Sequence, residues 1–455
     1  MTETPRASEL RRRVAELFPS LRADLEALVR IPSVSNPSFD QAHVRASAEL
    51  VAELFRGVGM EDVEVLDAAH PEGGRGRPAV VARHAGPEGA PHVLLYAHHD
   101  VQPPGDRESW QTEPFEPTER DGRLYGRGAA DDKAGVVAHL GALRALGEEL
   151  GVGVTVFVEG EEEIGSPTFA NFLAEHREKL AADVMVVADS VNWKIGVPAI
   201  TTSLRGLAEV TVEVAVTGHD VHSGMFGGPV LDANVLLARL LATLHDENGD
   251  CAVAGLTSAP DPAVDMPEED LRADAAVLDG VRLAGTGPLS ARLWTRPAIS
   301  VIGIDATPVD RASNTIASRA RAKISVRVAP GQDPVEARTA LREHLERHAP
   351  FGARVTVTDG EAGRSFQAPG ESLAMRAARE AFAAAWGTEP VETGLGGSIP
   401  FIADLLEVYP QAQILVTGVE DPDSRAHGAD ESVHLGELQT VVLAEALLLD
   451  SLARG

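Results

Sequence analysis

The sequence predicts an α/β domain, a mainly parallel sheet covered by helices, interrupted by an inserted α+β domain with a four-stranded antiparallel sheet and two helices. Three observations predict it. Up to about residue 204, short apolar runs alternate with amphipathic stretches, as parallel strands buried on both faces alternate with helices. Beyond Arg205 the strands alternate strictly between apolar and polar residues, as half-exposed antiparallel strands do. After Gln367 the α/β pattern resumes. The implied boundaries are 1–204 with 366–455 for the larger domain and 205–365 for the insertion.

Leu10–Arg30 has helical spacing, with Leu17, Leu21, Leu25 and Leu28 on one side, and Ala42–Val58 is a second amphipathic helix. Strands follow at Val63–Leu66, Ala79–Arg83 and Val93–Ala97. Ala134–Leu146 is rich in small and apolar residues and reads as a buried helix. Strand Val154–Val158, helix Pro167–Leu180 and strand Val184–Ala188 come next. In the insertion, Val210, Val212, Val214 and Val216 alternate with Glu209, Thr211, Glu213 and Ala215. Helix Val230–Leu244, strands Ala298–Ile304 and Lys323–Val328, helix Pro334–His348 with Asp333 as N-cap, and strand Arg354–Thr358 complete a β-α-β-β-α-β order. Cys251–Leu289, rich in Ala, Pro and Asp, reads as an irregular excursion. The larger domain then continues through helix Leu373–Trp386, the Gly-rich loop Gly394–Ser398, strand Gln413–Thr417 and helix Leu435–Ala453.

A net charge of −29 over 455 residues argues against nucleic acid and against an anionic membrane surface as partners. Cys251 is the only cysteine, which excludes an intrachain disulfide and a thiolate zinc site, so any metal falls to His, Asp and Glu. Met1–Arg13 is charged and lacks the apolar core of a signal peptide. No apolar run approaches the ~20 residues that cross a bilayer. A cytoplasmic protein is the expectation.

The chemistry gathers at strand ends. His98-His99-Asp100 closes one strand, Glu159-Gly160-Glu161-Glu162-Glu163 another, and Asp189 a third, while Asp131-Asp132 sits in a Gly-rich loop between the first two. Ligands of open α/β sheets bind outside the carboxyl ends of the strands, so these groups should converge. Gathered carboxylates repel unless a cation neutralises them. With the loop residue His427, the set His98, Asp131, Glu163, Asp189 and His427 suffices for two ions sharing Asp131, one histidine and one acid completing each side. Asp100, two residues beyond His98, would fix the imidazole, and Glu162 would be the general base of an amide hydrolysis. One aspartate of the Asp131-Asp132 pair can cap the following helix. His99, Asp132 and Glu161 are expected not to be ligands, and Glu420, Asp421 and Asp423 to be bystanders.

This pattern resembles the di-zinc metallopeptidases that include carnosinase-like cytosolic dipeptidases, acetylornithine deacetylase, succinyl-diaminopimelate desuccinylase and aminoacylase. Tyr96-Ala-His-His-Asp-Val-Gln-Pro103 is similar to the first metal motif of the dipeptidase branch. Trp110-Gln-Thr-Glu-Pro-Phe115, Leu124-Tyr-Gly-Arg-Gly-Ala-Ala-Asp-Asp-Lys133 and Glu159-Gly-Glu-Glu-Glu-Ile-Gly-Ser166 follow in the expected order, and Gly396-Gly-Ser-Ile-Pro400 resembles a substrate loop. The resemblance implies that His98 and Glu163 are terminal ligands, that Asp131 bridges, and that Asp189 and His427 complete the second metal. It implies a cis peptide at Asp131–Asp132. The insertion would be a lid and dimerisation domain, and His222, in His219-Asp-Val-His-Ser-Gly224, would help hold the oxyanion at the partner subunit's site. Asn314, Arg319 and the Gly396-Gly397-Ser398 loop would contact substrate. Arg319 departs from the family pattern, since Ile316-Ala317-Ser318-Arg319 lacks the usual proline after the isoleucine.

The reading that follows is a homodimeric metal-dependent dipeptidase acting on small peptides through two divalent ions per subunit, zinc first, with manganese or cobalt also suited to such ligands. The rivals are an N-acyl amino acid deacylase or desuccinylase on the same scaffold, a non-catalytic binding protein, and a dinuclear phosphoesterase. The absence of an evident Arg/Lys cluster for phosphate disfavours the last.

Overall fold

The apolar runs that read as parallel strands are buried along nearly their whole length, and they form the centre of one large sheet. The computed structural model describes residues 4–368, 370–397 and 400–454. The chain divides into two compact units, the first holding 1–202, 368–392 and 404–455, the second 203–367 and 393–403.

In the first unit the sheet runs in the order Asp62–Leu66, Ala79–His84, Gly153–Glu159, His92–His98, Val184–Val187, Gln413–Val416 and Ala199–Leu204. The central four strands are mutually parallel, and antiparallel neighbours flank them. Their carboxyl ends therefore share one edge, with His98 in register opposite Glu159. Helix Lys133–Leu146 is buried on almost every side because Pro5–Val29 and Leu435–Leu452 pack against it. Leu21, Leu25 and Leu28 of the first helix are fully buried, each contributing about 1.5–3 kcal/mol of apolar burial. The sequence reading missed strand Ala199–Leu204 and a small sheet of Thr118–Arg120, Arg123–Tyr125 and Ser432–His434, whose strands are too short for a period to show.

In the second unit, strands Ala298–Asp305, Arg319–Val328, Gly206–Ala215 and Arg354–Gly363 form an antiparallel sheet in that order. Val210, Val212 and Val214 point inward against Leu236 and Leu240 of helix Ala233–Leu241 and Leu341 and Leu345 of helix Pro334–Arg347. The expected helix from Val230 begins later because Asp232 caps it, its carboxylate accepting from Val235 N at 3.0 Å. Asp333 caps the other helix, accepting from Val335 N at 2.7 Å and Glu336 N at 3.1 Å. The 251–289 excursion is mostly irregular, with one short helix at Glu268–Asp274.

Segment 393–403 falls in the second unit, inside the tract expected to be wholly part of the larger domain. The cause is local: Arg205 donates its backbone N–H to Leu395 O at 3.2 Å and its Nε–H to Gly396 O at 3.2 Å. Among the described residues no helix is long and apolar enough to cross a membrane.

Candidate metal centre

His98 is the last residue of its strand and is fully buried. Its Nε2 lies 3.0 Å from Asp131 Oδ1, while Nδ1 lies 3.1 Å from the Asp100 carbonyl oxygen and 3.5 Å from Asp100 Oδ1. A neutral imidazole carries one N–H, so two acceptor-facing nitrogens demand either an added proton or a cation at one of them. Burial opposes the proton, yet the Asp100 and Asp131 carboxylates outweigh it and raise the His98 pKa well above its ordinary value. The Asp100 carboxylate also accepts from Glu162 N at 3.2 Å and Glu163 N at 3.1 Å, so it ties the histidine to the acidic loop.

Asp131 and Asp132 are joined by a cis peptide. Asp131 sends Oδ1 to His98 and Oδ2 to His427, whose Nε2 is 3.0 Å away. Burial would raise its pKa, but the two imidazoles hold it well below the carboxylate range. Asp132 instead caps helix Lys133–Leu146, accepting from Gly135 N at 3.2 Å and from His98 N at 3.2 Å.

Glu163 lies in the 3-10 turn Glu162–Ile164, closed by Gly165 at φ +82°. Its carboxylate accepts from Gln102 N at 3.0 Å and Gln102 Nε2 at 2.8 Å, and its Oε2 is 3.2 Å from His427 Nε2. Asp131 and Glu163 together push the His427 pKa up to about 11.

Possible ligand atoms of His98, Asp131 and Asp189 lie within 4.8 Å of one another, and so do those of Asp131, Glu163 and His427. Asp131 is thus shared. The resemblance implied Asp189 together with His427; in the structure the atoms of Asp189, two residues past the strand beside His98, cluster with those of His98, and the atoms of His427 with those of Glu163. Burial, then the neighbouring acids, raise the Asp189 pKa to about 6 against the pull of His98. Burial and Asp189 raise Glu162 well above its ordinary value. Carboxylates so disposed call for positive charge, and the mixed imidazole and carboxylate donors fit a borderline or hard divalent cation.

Three neighbours have other work. His99 Nε2 donates to Pro78 O at 2.9 Å, and burial lowers its pKa to about 4. Glu161 accepts from Arg77 N at 3.0 Å and Thr168 N at 2.8 Å, holding its loop. Asp421 pairs with Arg123 at 3.0 Å. Glu420, also expected to be a bystander, is in neither group of possible ligand atoms, and burial, then the fields of Asp131 and Asp189, raise its pKa well above normal. The sequence reading also missed Gln102, Arg127 and Glu431. Glu431 Oε1 accepts from Ala130 N at 3.0 Å and Asp131 N at 3.1 Å, and no signal in its local sequence marked it.

The remaining expected residues lie in the second unit. His222 is exposed and caps helix Ser223–Phe226, its Nδ1 accepting from Gly224 N at 3.0 Å. Asn314 is exposed, and its carbonyl accepts from Ser223 N at 3.0 Å. Arg319 stands in the exposed phase of its strand, 2.8 Å from Glu213. Gly396 is held by Arg205 and Gly397 is exposed, while Ser398 lies outside the described residues.

Residues 94–451 match the family model described as Peptidase family M20/M25/M40. The chain is 38% identical over 367 residues to Cysteinylglycine-S-conjugate dipeptidase of Corynebacterium striatum, covering 79% of this chain and 81% of that protein. It is 28% identical over 410 residues to Beta-Ala-His dipeptidase of Rattus norvegicus, covering 85% and 82%. The solved structure of human carnosine dipeptidase 1 has the same fold, with a TM-score of 0.80 at 24% identity over 100% of both chains.

Proposed function

The chain belongs to peptidase family M20/M25/M40, and on that premise we propose that it is a metallodipeptidase that hydrolyses the amide bond of dipeptides at a dinuclear centre. One observation carries the proposal: two ligand groups, each with one histidine and one further carboxylate, share Asp131. His98 and Asp189 would hold one divalent ion and Glu163 and His427 the other, zinc being the first candidate. Such ions, when bound, polarise a carbonyl and acidify water.

The protein's own groups would do the rest. Glu162 is half-buried, and its raised pKa suits a base that takes a proton from the attacking water and returns it to the leaving amine. Asp100 would keep both His98 and the Glu162–Glu163 backbone in place. His222 would stabilise the oxyanion, and Asn314 with Gly396, Gly397 and Ser398 would bind substrate. Arg319 would join them by leaving Glu213, an exposed pair worth about 0–1 kcal/mol. The second unit would serve as lid and as the homodimer contact.

A hydrolysis panel tests this reading. After chelation and return of zinc, manganese or cobalt, dipeptides should be turned over and N-acetyl or N-succinyl amino acids should not. Turnover confined to the acyl amino acids would replace dipeptidase by deacylase.

A further inference from the structure

We propose that the buried Arg127–Glu431 pair is a positioning element for the Asp131–Glu163–His427 group and sets the affinity of that group for its ion separately from the His98–Asp131–Asp189 group. The inference rests on the dinuclear reading above.

Arg127 is 1% exposed and Glu431 0%. Arg127 Nη1 donates to Glu431 Oε2. The other oxygen of that carboxylate accepts the Ala130 and Asp131 backbone N–H groups. Arg127 Nη2 donates to His427 O at 3.1 Å and Gly428 O at 3.0 Å, with Pro103 O at 3.4 Å. One guanidinium–carboxylate unit thus grips the backbone at the shared aspartate and at the loop histidine together. Trp110 covers the guanidinium, its ring centroid 5.5 Å from Cζ.

His427 has need of such a grip. Its φ is +62°, a region uncommon for residues other than glycine, and its side chain is 59% exposed. No helix or strand fixes it. His98, by contrast, ends a paired parallel strand, and Asp189 lies two residues past the end of its parallel neighbour. A buried ion pair is weak evidence of stabilisation, since apolar replacements of similar volume are often neutral or better. Bonds to two ligand-bearing loops point to placement instead.

The experiment uses the full chain, stripped by chelator and titrated with Zn2+, as wild type, Arg127→Lys and Glu431→Gln. Lysine keeps the charge but lacks the planar fork that spans two loops. Glutamine keeps an acceptor for the Asp131 loop. Wild type should take up two ions. In each variant one ion should bind as before and the other about 10–100-fold more weakly, with an unchanged circular dichroism spectrum. Turnover should recover at saturating zinc. Two ions bound with wild-type affinities would overturn the proposal. Equal weakening of both ions, or failure of both variants to fold, would overturn it too, because the pair would then serve the whole fold. Wild type binding fewer than two ions would instead remove the dinuclear reading itself.

Discussion

The two groups of candidate ligands that meet at Asp131 are built from different materials. His98 and Asp189 stand at the ends of neighbouring parallel strands, and the ladder between them continues to within one residue of the site, with Ala188 N donating to Tyr96 O at 3.0 Å. Glu163 and His427 ride on a single 3-10 turn and an irregular loop. On the strand side the backbone itself presets the geometry. On the loop side the setting comes from side chains that clamp backbone: Asp100 on Glu162 and Glu163, Gln102 on Glu163, Arg127 and Glu431 on Asp131 and His427. Segments held by few such bonds open at lower free energy than core strands. The loop half should therefore be the adjustable half.

Five substitutions break or sharpen this contrast. Asp131→Ala removes what the halves share; both ions should be lost and kcat should fall by ~10³-fold or more, the scale of several kcal/mol of Lewis-acid stabilisation. Elemental analysis and turnover check it, and retention of two ions would end the bridging role. Glu162→Ala should keep both ions yet lose at least ~10²-fold in turnover, and near-wild-type activity there would sink the general base. His427→Ala and Asp189→Ala should each release a different ion, losing more affinity than the about 10–100-fold typical of an outer-shell change. A zinc titration in which both variants lose the same ion would erase the distinction between halves. Gln102→Ala frees Glu163 from two side-chain hydrogen bonds and should weaken only the loop-side ion, by ~10-fold. An equal effect on the strand-side ion would show that the halves are coupled.

Much of this site was legible because its parts are local in sequence. A strand ending in His98-His99-Asp100 announces its own end, and alternation along an extended chain separates His98 from His99. The structure agrees, with His98 turned to Asp131 and His99 to Pro78. The Asp132 cap follows from its place before a helix. Arg127–Glu431 was not legible, because its partners are 304 residues apart and neither sits in a periodic pattern. Glu420 and Asp421 share a short acidic run, and only the fold separates them: Asp421 pairs with Arg123, while Glu420 feels the fields of Asp131 and Asp189.

The sequence by itself determined the class of the fold, the strand ends that carry the candidate ligands, and a donor set limited to His, Asp and Glu, because each of these depends on local period and composition. The grouping of those candidates was decided by tertiary structure alone. Strand order sets Val184–Val187 beside His92–His98 and so gives Asp189 to His98. Side-chain clamps from distant segments bring His427 to Glu163. A chain written in one dimension records which groups stand at strand ends, but the distance between two such ends is fixed only once the strands are laid side by side.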